Sequence, residues 1–107
     1  MVTDPNCIFC KIVAGKVPSK QVYQDHEVVV FQDINPAAPV HLLMVPREHF
    51  ANLEAAQASH EGLLGRMMLL APRLAREQGA TDGFRVVINN GPDGGQEVYH
   101  LHLHLIG

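Results

Sequence analysis

An unbroken alternation of imidazole and leucine, His100-Leu101-His102-Leu103-His104-Leu105, closes the chain and constrains its fold more than any other feature. Successive side chains of a strand point to opposite faces, so this run sets three histidines on one face and three leucines on the other. The leucines then pack under a helix, and the imidazoles stand in a row with neighbours about 6.5 Å apart. Three of the seven histidines thus fall in the last eight positions. Imidazole titrates close to neutrality and serves as nucleophile, acid, base or metal ligand. Three readings of the row stay open from the residues alone. It is a polar sheet face, a His-x-His pair of metal ligands, or a site of covalent catalysis on phosphorus in which the middle histidine attacks.

The rest of the chain reads as short strands around one long helix. Cys7 to Ala14 forms a short helix stopped at Gly15, and Gln21-Val22-Tyr23 and Glu27 to Asp33 form two strands turned at Asp25-His26. The β-branched run Val28-Val29-Val30 favours a pleated, half-buried surface. Asn35-Pro36-Ala37-Ala38-Pro39 is a turn, and His41 to Val45 a further strand stopped at Pro46. A helix is expected from His60 to Gln78, with Ser59 as N-cap and Gly79 as stop. Leu63, Met67, Leu70 and Leu74 make its apolar stripe, with Leu64, Met68, Ala71 and Ala75 beside it. That face is wider than one contact requires, which points to a second subunit. Pro72 conflicts with an uninterrupted helix. Phe84 to Asn90 and Val98 to Ile106 are expected as a hairpin across Gly91-Pro92-Asp93-Gly94-Gly95. The pattern is α+β with an antiparallel sheet in a single domain, 1–107.

Several function classes fall away. The formal charge of −3 and the scattered lysines and arginines do not make a nucleic-acid surface. The apolar run Met67 to Ala71 is far shorter than the ~20 residues of a membrane span, and the N-terminus has no signal-peptide pattern, so a cytoplasmic protein is expected. Cys7 and Cys10, three apart, read in a reducing compartment as metal ligands or a redox pair before a structural disulfide.

The terminal run resembles the His-φ-His-φ-His-φ-φ signature of the histidine triad superfamily, with φ apolar. In order along the chain, Cys7-Ile8-Phe9-Cys10-Lys11-Ile12, Phe31-Gln32-Asp33-Ile34, Ala38-Pro39-Val40-His41, Val45-Pro46-Arg47-Glu48-His49 and Gly94-Gly95-Gln96-Glu97-Val98-Tyr99-His100 resemble segments of its Hint branch. The resemblance implies a five-stranded antiparallel sheet with one long and one short helix, paired into a homodimer. It implies an enzyme that hydrolyses phosphoramidate or acyl derivatives of purine nucleoside monophosphates through a nucleotidylated histidine. His102 is then the nucleophile, His104 a hydrogen-bond partner of the phosphate or leaving group, and His41 a supporting imidazole. Asp33 matches the ribose-binding position, although it also suits a cap on the Asn35-Pro36 turn. Ile8, Phe9, Ile12, Phe31 and Ile34 match the purine pocket. Asn89, Gly95, Gln96 and the backbone of Glu97 and Val98 match contacts on the phosphate side. Glu97 departs from the small hydroxyl residue found in many eukaryotic relatives. A nucleotide-binding scaffold with incidental catalysis is the alternative reading.

Catalysis on this pattern needs no metal, but the cysteines are to be explained. Some bacterial triad proteins and related nucleotidyl transferases carry a structural zinc on two N-terminal cysteines, a mid-chain histidine and the first triad histidine. By that resemblance the ligands are Cys7, Cys10, His49 and His100.

Overall fold

The computed structural model describes residues 1–107. Five strands, β1 (Gln21–Gln24), β2 (Val28–Gln32), β3 (His41–Pro46), β4 (Arg85–Val87) and β5 (Leu103–Ile106), form one antiparallel sheet in the order β1-β2-β3-β5-β4. Helices α1 (Ile8–Val13) and α2 (Glu61–Glu77) cover its two faces.

The alternation of β2 decides which residues go to which face. Val28 and Val30 join Leu42, Met44, Leu101, Leu103 and Leu105 against Met67, Ala71 and Leu74 of α2. Val29 and Phe31 turn the other way and join Leu43 and Val45 against Phe9 and Ile12 of α1. Both faces are buried, which is why β2 and β3 are apolar runs. The three C-terminal leucines lie under α2 as their period requires, and the histidines project towards the α1 side.

Two boundaries, the start of α2 and the extent of the hairpin, differ from expectation, each for a physical reason, while the rest of α2 lies where expected. Ser59 does not cap α2. A 3-10 turn, Ala58–His60, leads into the helix, and Gln57 and His60 exchange the capping bonds instead. Helix α2 runs through Pro72, whose ring is exposed. The bond it cannot donate would go to the carbonyl of Met68, which is also on the outer side and open to water. The expected hairpin is shorter than its sequence pattern. Residues 88–102 leave the ladder, and Leu101 instead donates its N–H to the Phe50 carbonyl at 2.8 Å. The imidazole/leucine alternation therefore continues past the hydrogen-bonded strand. Met68 and Leu69, beside the buried stripe of α2, are turned outward, Leu69 at 82% exposure.

Asp25 holds the β1–β2 turn. Its Oδ1 accepts the N–H groups of Glu27 and Val28 at 2.8 and 2.9 Å, and its Oδ2 accepts from the Tyr23 hydroxyl and Arg66 Nη2, both at 2.7 Å. Burial pushes this carboxyl up, but the Tyr23 hydroxyl, the two N–H groups and Arg66 outweigh it and hold it well below the usual carboxylate range. A lowered folded-state value means that Asp25 stabilises the fold fully above the unfolded value of about 4 and loses that contribution as pH falls through its own titration. Asp25→Ala is expected to cost about 2–4 kcal/mol at pH 7, read by denaturant unfolding, and to flatten the loss of stability between about pH 4 and pH 2. An acid limb of unchanged slope would contradict this assignment.

Candidate active site and metal centre

His102 lies between two supports. Its Nδ1 is 2.8 Å from the carbonyl of His100, an acceptor, so Nδ1 carries the proton and donates it there. The lone pair is left on Nε2. Phe9 of α1 packs its ring edge-on at 5.0 Å between centroids, fixing the plane of the imidazole. Burial lowers the pKa of His102 against the opposing pull of that carbonyl and of Asp33, so the ring is neutral at pH 7.

A chain of hydrogen bonds sets the neighbouring tautomers. The Ala37 N–H donates to His41 Nδ1 at 3.0 Å, so a neutral His41 carries its proton on Nε2. That proton faces His104 Nδ1 at 2.9 Å, with Asp33 Oδ2 at 3.4 Å. His104 then carries its own proton on Nε2. Burial, with His102 and His41 nearby, keeps His104 low despite Asp33 and Glu97. The two middle imidazoles therefore offer opposite things, a lone pair at His102 Nε2 and a donor at His104 Nε2.

Both line a cavity of about 420 Å³ with Phe9, Leu43, Asp33, Asn35, Asn89, Gly95, Glu97 and Val98. The lip is the loop from Asn90 to Val98. It folds tightly at Gly94, where a Cβ would stand 2.5 Å from the Asn90 carbonyl oxygen, and at Gly95, with φ of 77°. The backbone N–H groups of Glu97 and Val98 donate to no protein acceptor, so two donors remain at the lip. No lysine or arginine borders the cavity.

Of the expected nucleotide contacts, the structure brings Phe9, Asp33, Asn89, Gly95, Glu97 and Val98 to this cavity. Asp33 caps the turn, its Oδ1 accepting from Asn35 N–H at 2.8 Å, while Oδ2 lies 3.4 Å from His41 Nε2 at the cavity border. His41 stands behind His104 and does not border the cavity. Ile12 and Phe31 lie behind Phe9 in the α1 core, Ile8 is half-exposed, and Ile34 is 90% exposed beyond the Asp33 turn. Leu43 and Asn35 border the cavity without having been singled out. Leu43 was hidden within a uniformly apolar strand, and Asn35 read as a turn residue.

Gln96 is buried as a strut. Its Nε2 donates to the carbonyls of Ala51 at 2.7 Å and Val98 at 3.0 Å, and its Oε1 accepts from Gly91 N–H at 2.9 Å and Asn52 Nδ2 at 3.1 Å. The side chain is consumed by the loop it holds. Gln96→Ala is expected to lower stability by about 2–4 kcal/mol, because it strands buried backbone groups. It should also weaken AMP binding measured by calorimetry. Unchanged affinity would separate the strut from the site.

On the far side of the triad, Cys7, Cys10, His49 and His100 bring four donor atoms within 4.8 Å of one another. Cys7 caps α1 and Cys10 lies one turn on, so both sulfurs point to one side. His100 Nδ1 is 3.4 Å from Cys7 Sγ and 3.6 Å from Cys10 Sγ, His49 Nδ1 is 3.5 Å from Cys10 Sγ, and the two nitrogens are 3.1 Å apart. Zinc bonds of ~2.3 Å to sulfur and ~2.0–2.1 Å to nitrogen at tetrahedral angles require separations of about 3.6 and 3.3 Å. His100 Nε2 donates to the Pro46 carbonyl at 2.8 Å, which frees Nδ1 for a metal, and burial with its neighbours pushes its pKa down to about 4. The donor set fits zinc. A sequence reading missed what anchors His49: Glu48 accepts from buried His60 at 3.0 Å, and His60 stacks on Phe50.

The family model described as scavenger mRNA decapping enzyme C-term binding matches residues 6–107. The chain is 56% identical over 102 residues to Protein HitA of Neisseria gonorrhoeae, covering 95% of each. It is 44% identical over 107 residues to the adenylylsulfatase HINT1 of Arabidopsis thaliana, covering 98% of this chain and 73% of that one. It is 46% identical over 102 residues to the 14 kDa zinc-binding protein of Brassica juncea, covering 94% and 90%. A solved histidine triad protein from Clostridium difficile superposes with a TM-score of 0.93 at 42% identity, covering 98% of this chain and 92% of that one.

Proposed function

The chain belongs to the histidine triad superfamily, on its Hint-like branch, and from that membership and the site we propose that it is a nucleotide hydrolase. Its substrates are phosphoramidate or acyl derivatives of purine nucleoside monophosphates, and its nucleophile is His102. The observation that carries this reading is the pairing of a neutral, oriented Nε2 lone pair with donors on the same cavity. Protein-bound catalysis through a side-chain nucleophile divides one hard displacement into two.

In the first step the His102 Nε2 pair forms a bond to the α-phosphorus. The bond to the leaving nitrogen breaks with its pair going to that nitrogen, which departs with the proton it brought. In the second step water oxygen bonds to phosphorus, the Nε2–P bond returns its pair to His102, and the proton that water gives up goes to solvent, where the released amine takes it up. His104 Nε2–H and the N–H groups of Glu97 and Val98 hydrogen-bond the phosphoryl oxygens as charge builds on them. Asp33 accepts from the ribose hydroxyls, and Phe9 and Leu43 form the apolar wall for the base. Asn89 orders the lip through its bond to the Gly94 carbonyl at 2.7 Å.

No metal takes part in these steps. Ala37 commits His41 to a proton on Nε2, so the Asp33, His41 and His104 atoms that face one another form a hydrogen-bonded relay in place of an open ligand set. Zinc at Cys7, Cys10, His49 and His100 is structural in this reading, supported by the fit of the four donors and by a relative named as zinc-binding. The outward Met68 and Leu69 and the edge strand β4 support a homodimer. Two free thiols suit a reducing compartment such as the cytoplasm, and no helix is long and apolar enough to cross a membrane.

The test is AMP release from adenosine 5′-phosphoramidate with and without chelator. Release that resists chelation supports the reading. Tight AMP binding without release would favour a nucleotide-binding module, and loss of release on chelation would favour a metal hydrolase.

A further inference from the structure

The cavity's charge is unusual for one that receives a phosphate. Its border holds two carboxylates, Asp33 and Glu97, two neutral imidazoles, and no lysine or arginine. Asp33 caps the turn and faces His41, on the side assigned to the ribose. Glu97 has no hydrogen-bond or ion-pair partner in the protein, yet its own N–H is one of the two free donors at the lip. A single residue therefore presents a donor for phosphate and a free carboxylate beside it.

We propose that the Glu97 carboxylate selects the leaving group, favouring a protonated amine and disfavouring anionic groups such as sulfate or carboxylate. The inference rests on the nucleotidyl-transfer reading above and names the substrate class within it. Nitrogen leaves phosphorus only when protonated, so the form of a phosphoramidate that reacts carries positive charge on the nitrogen whose bond breaks. A carboxylate at the lip stabilises that form. Sulfate and acyl groups leave as anions without protonation, and the same carboxylate repels them. The neighbourhood is consistent with this, since the negative charge of Glu97 also reaches His104. Glu97 is open to solvent, so screening keeps the effect modest, roughly three- to tenfold.

The experiment compares kcat/KM for the adenosine 5′-phosphoramidate of a primary alkylamine with that for adenosine 5′-phosphosulfate. Wild type, Glu97→Gln and Glu97→Asp are assayed at low and high salt. Glu97→Gln is expected to move the ratio towards the sulfate substrate by roughly three- to tenfold, with most of the shift lost at high salt and regained in Glu97→Asp. Equal changes for both substrates would show that Glu97 only shapes the loop and would overturn the proposal. Affinities of the same two compounds for His102→Ala, with and without Glu97→Gln, read the charge preference without turnover. A protein that hydrolyses neither compound thus defeats the hydrolase reading, whereas an unchanged ratio of affinities defeats the role of Glu97.

Discussion

His102→Ala should reduce AMP release from adenosine 5′-phosphoramidate by about 10³-fold or more in kcat, while AMP affinity changes by less than tenfold. The size of the loss follows from what the side chain supplies. With Nε2 gone there is no group on the cavity wall to form the covalent bond, since His104 presents a proton and His41 lies behind it. The residues assigned to ribose, base and phosphate all remain, so the nucleotide still binds. His104→Ala should cost less, on the order of 10²-fold, because it removes one donor to the phosphate and leaves the nucleophile in place. A ranking in which His104→Ala is the more damaging of the two would move the covalent step away from His102.

The second large effect concerns the metal. Protein prepared with zinc should contain close to one ion per chain, and Cys10→Ser should lose it. A tetrahedral set held by α1, the segment after β3 and the run into β5 joins three parts of the chain that are distant in sequence. Ligand-linked stability of a few kcal/mol at 4–8 °C per kcal/mol gives a fall in Tm on the order of 10–20 °C on metal removal. Phe9 lies between the two cysteines and His100 offers its carbonyl to His102, so metal-free protein should turn over more slowly. It should not become inactive at temperatures where it is folded. Atomic emission and thermal scans decide the matter, and a metal content near zero with an unchanged Tm in Cys10→Ser would remove zinc from the account.

Much of this was legible in the chain because it depends on period. The imidazole/leucine alternation placed Leu101, Leu103 and Leu105 under α2 and the histidines opposite, and this held even where the backbone left the β4–β5 ladder. The apolar runs marked β2 and β3 as strands, but the half-buried surface expected of Val28-Val29-Val30 is covered on both faces, because α1 and α2 pack on opposite sides of the sheet. What could not be read depends on contacts between distant residues. Asp25 meets Arg66 forty-one positions away, and no local pattern announces that pair. Gln96 was expected among the phosphate-side contacts, yet its side chain is the group that holds the loop to Ala51 and Asn52. Ser59 had the right chemistry for a cap, but the chain enters α2 through a tighter turn that gives the task to Gln57 and His60. Ile34 and Leu43 show the limit of hydrophobicity as a guide. The first lies past the end of β2 and is exposed, whereas the second stands mid-strand in β3 on the α1 face, where the cavity opens.

The stereochemical course at phosphorus tests the central claim most directly. A P-chiral phosphorothioate analogue of the amidate is hydrolysed in isotopically labelled water, and the configuration of the product is determined. Two successive in-line displacements, first by His102 and then by water, predict overall retention. Inversion would mean that water attacks phosphorus in a single step, and His102 would not be a covalent catalyst.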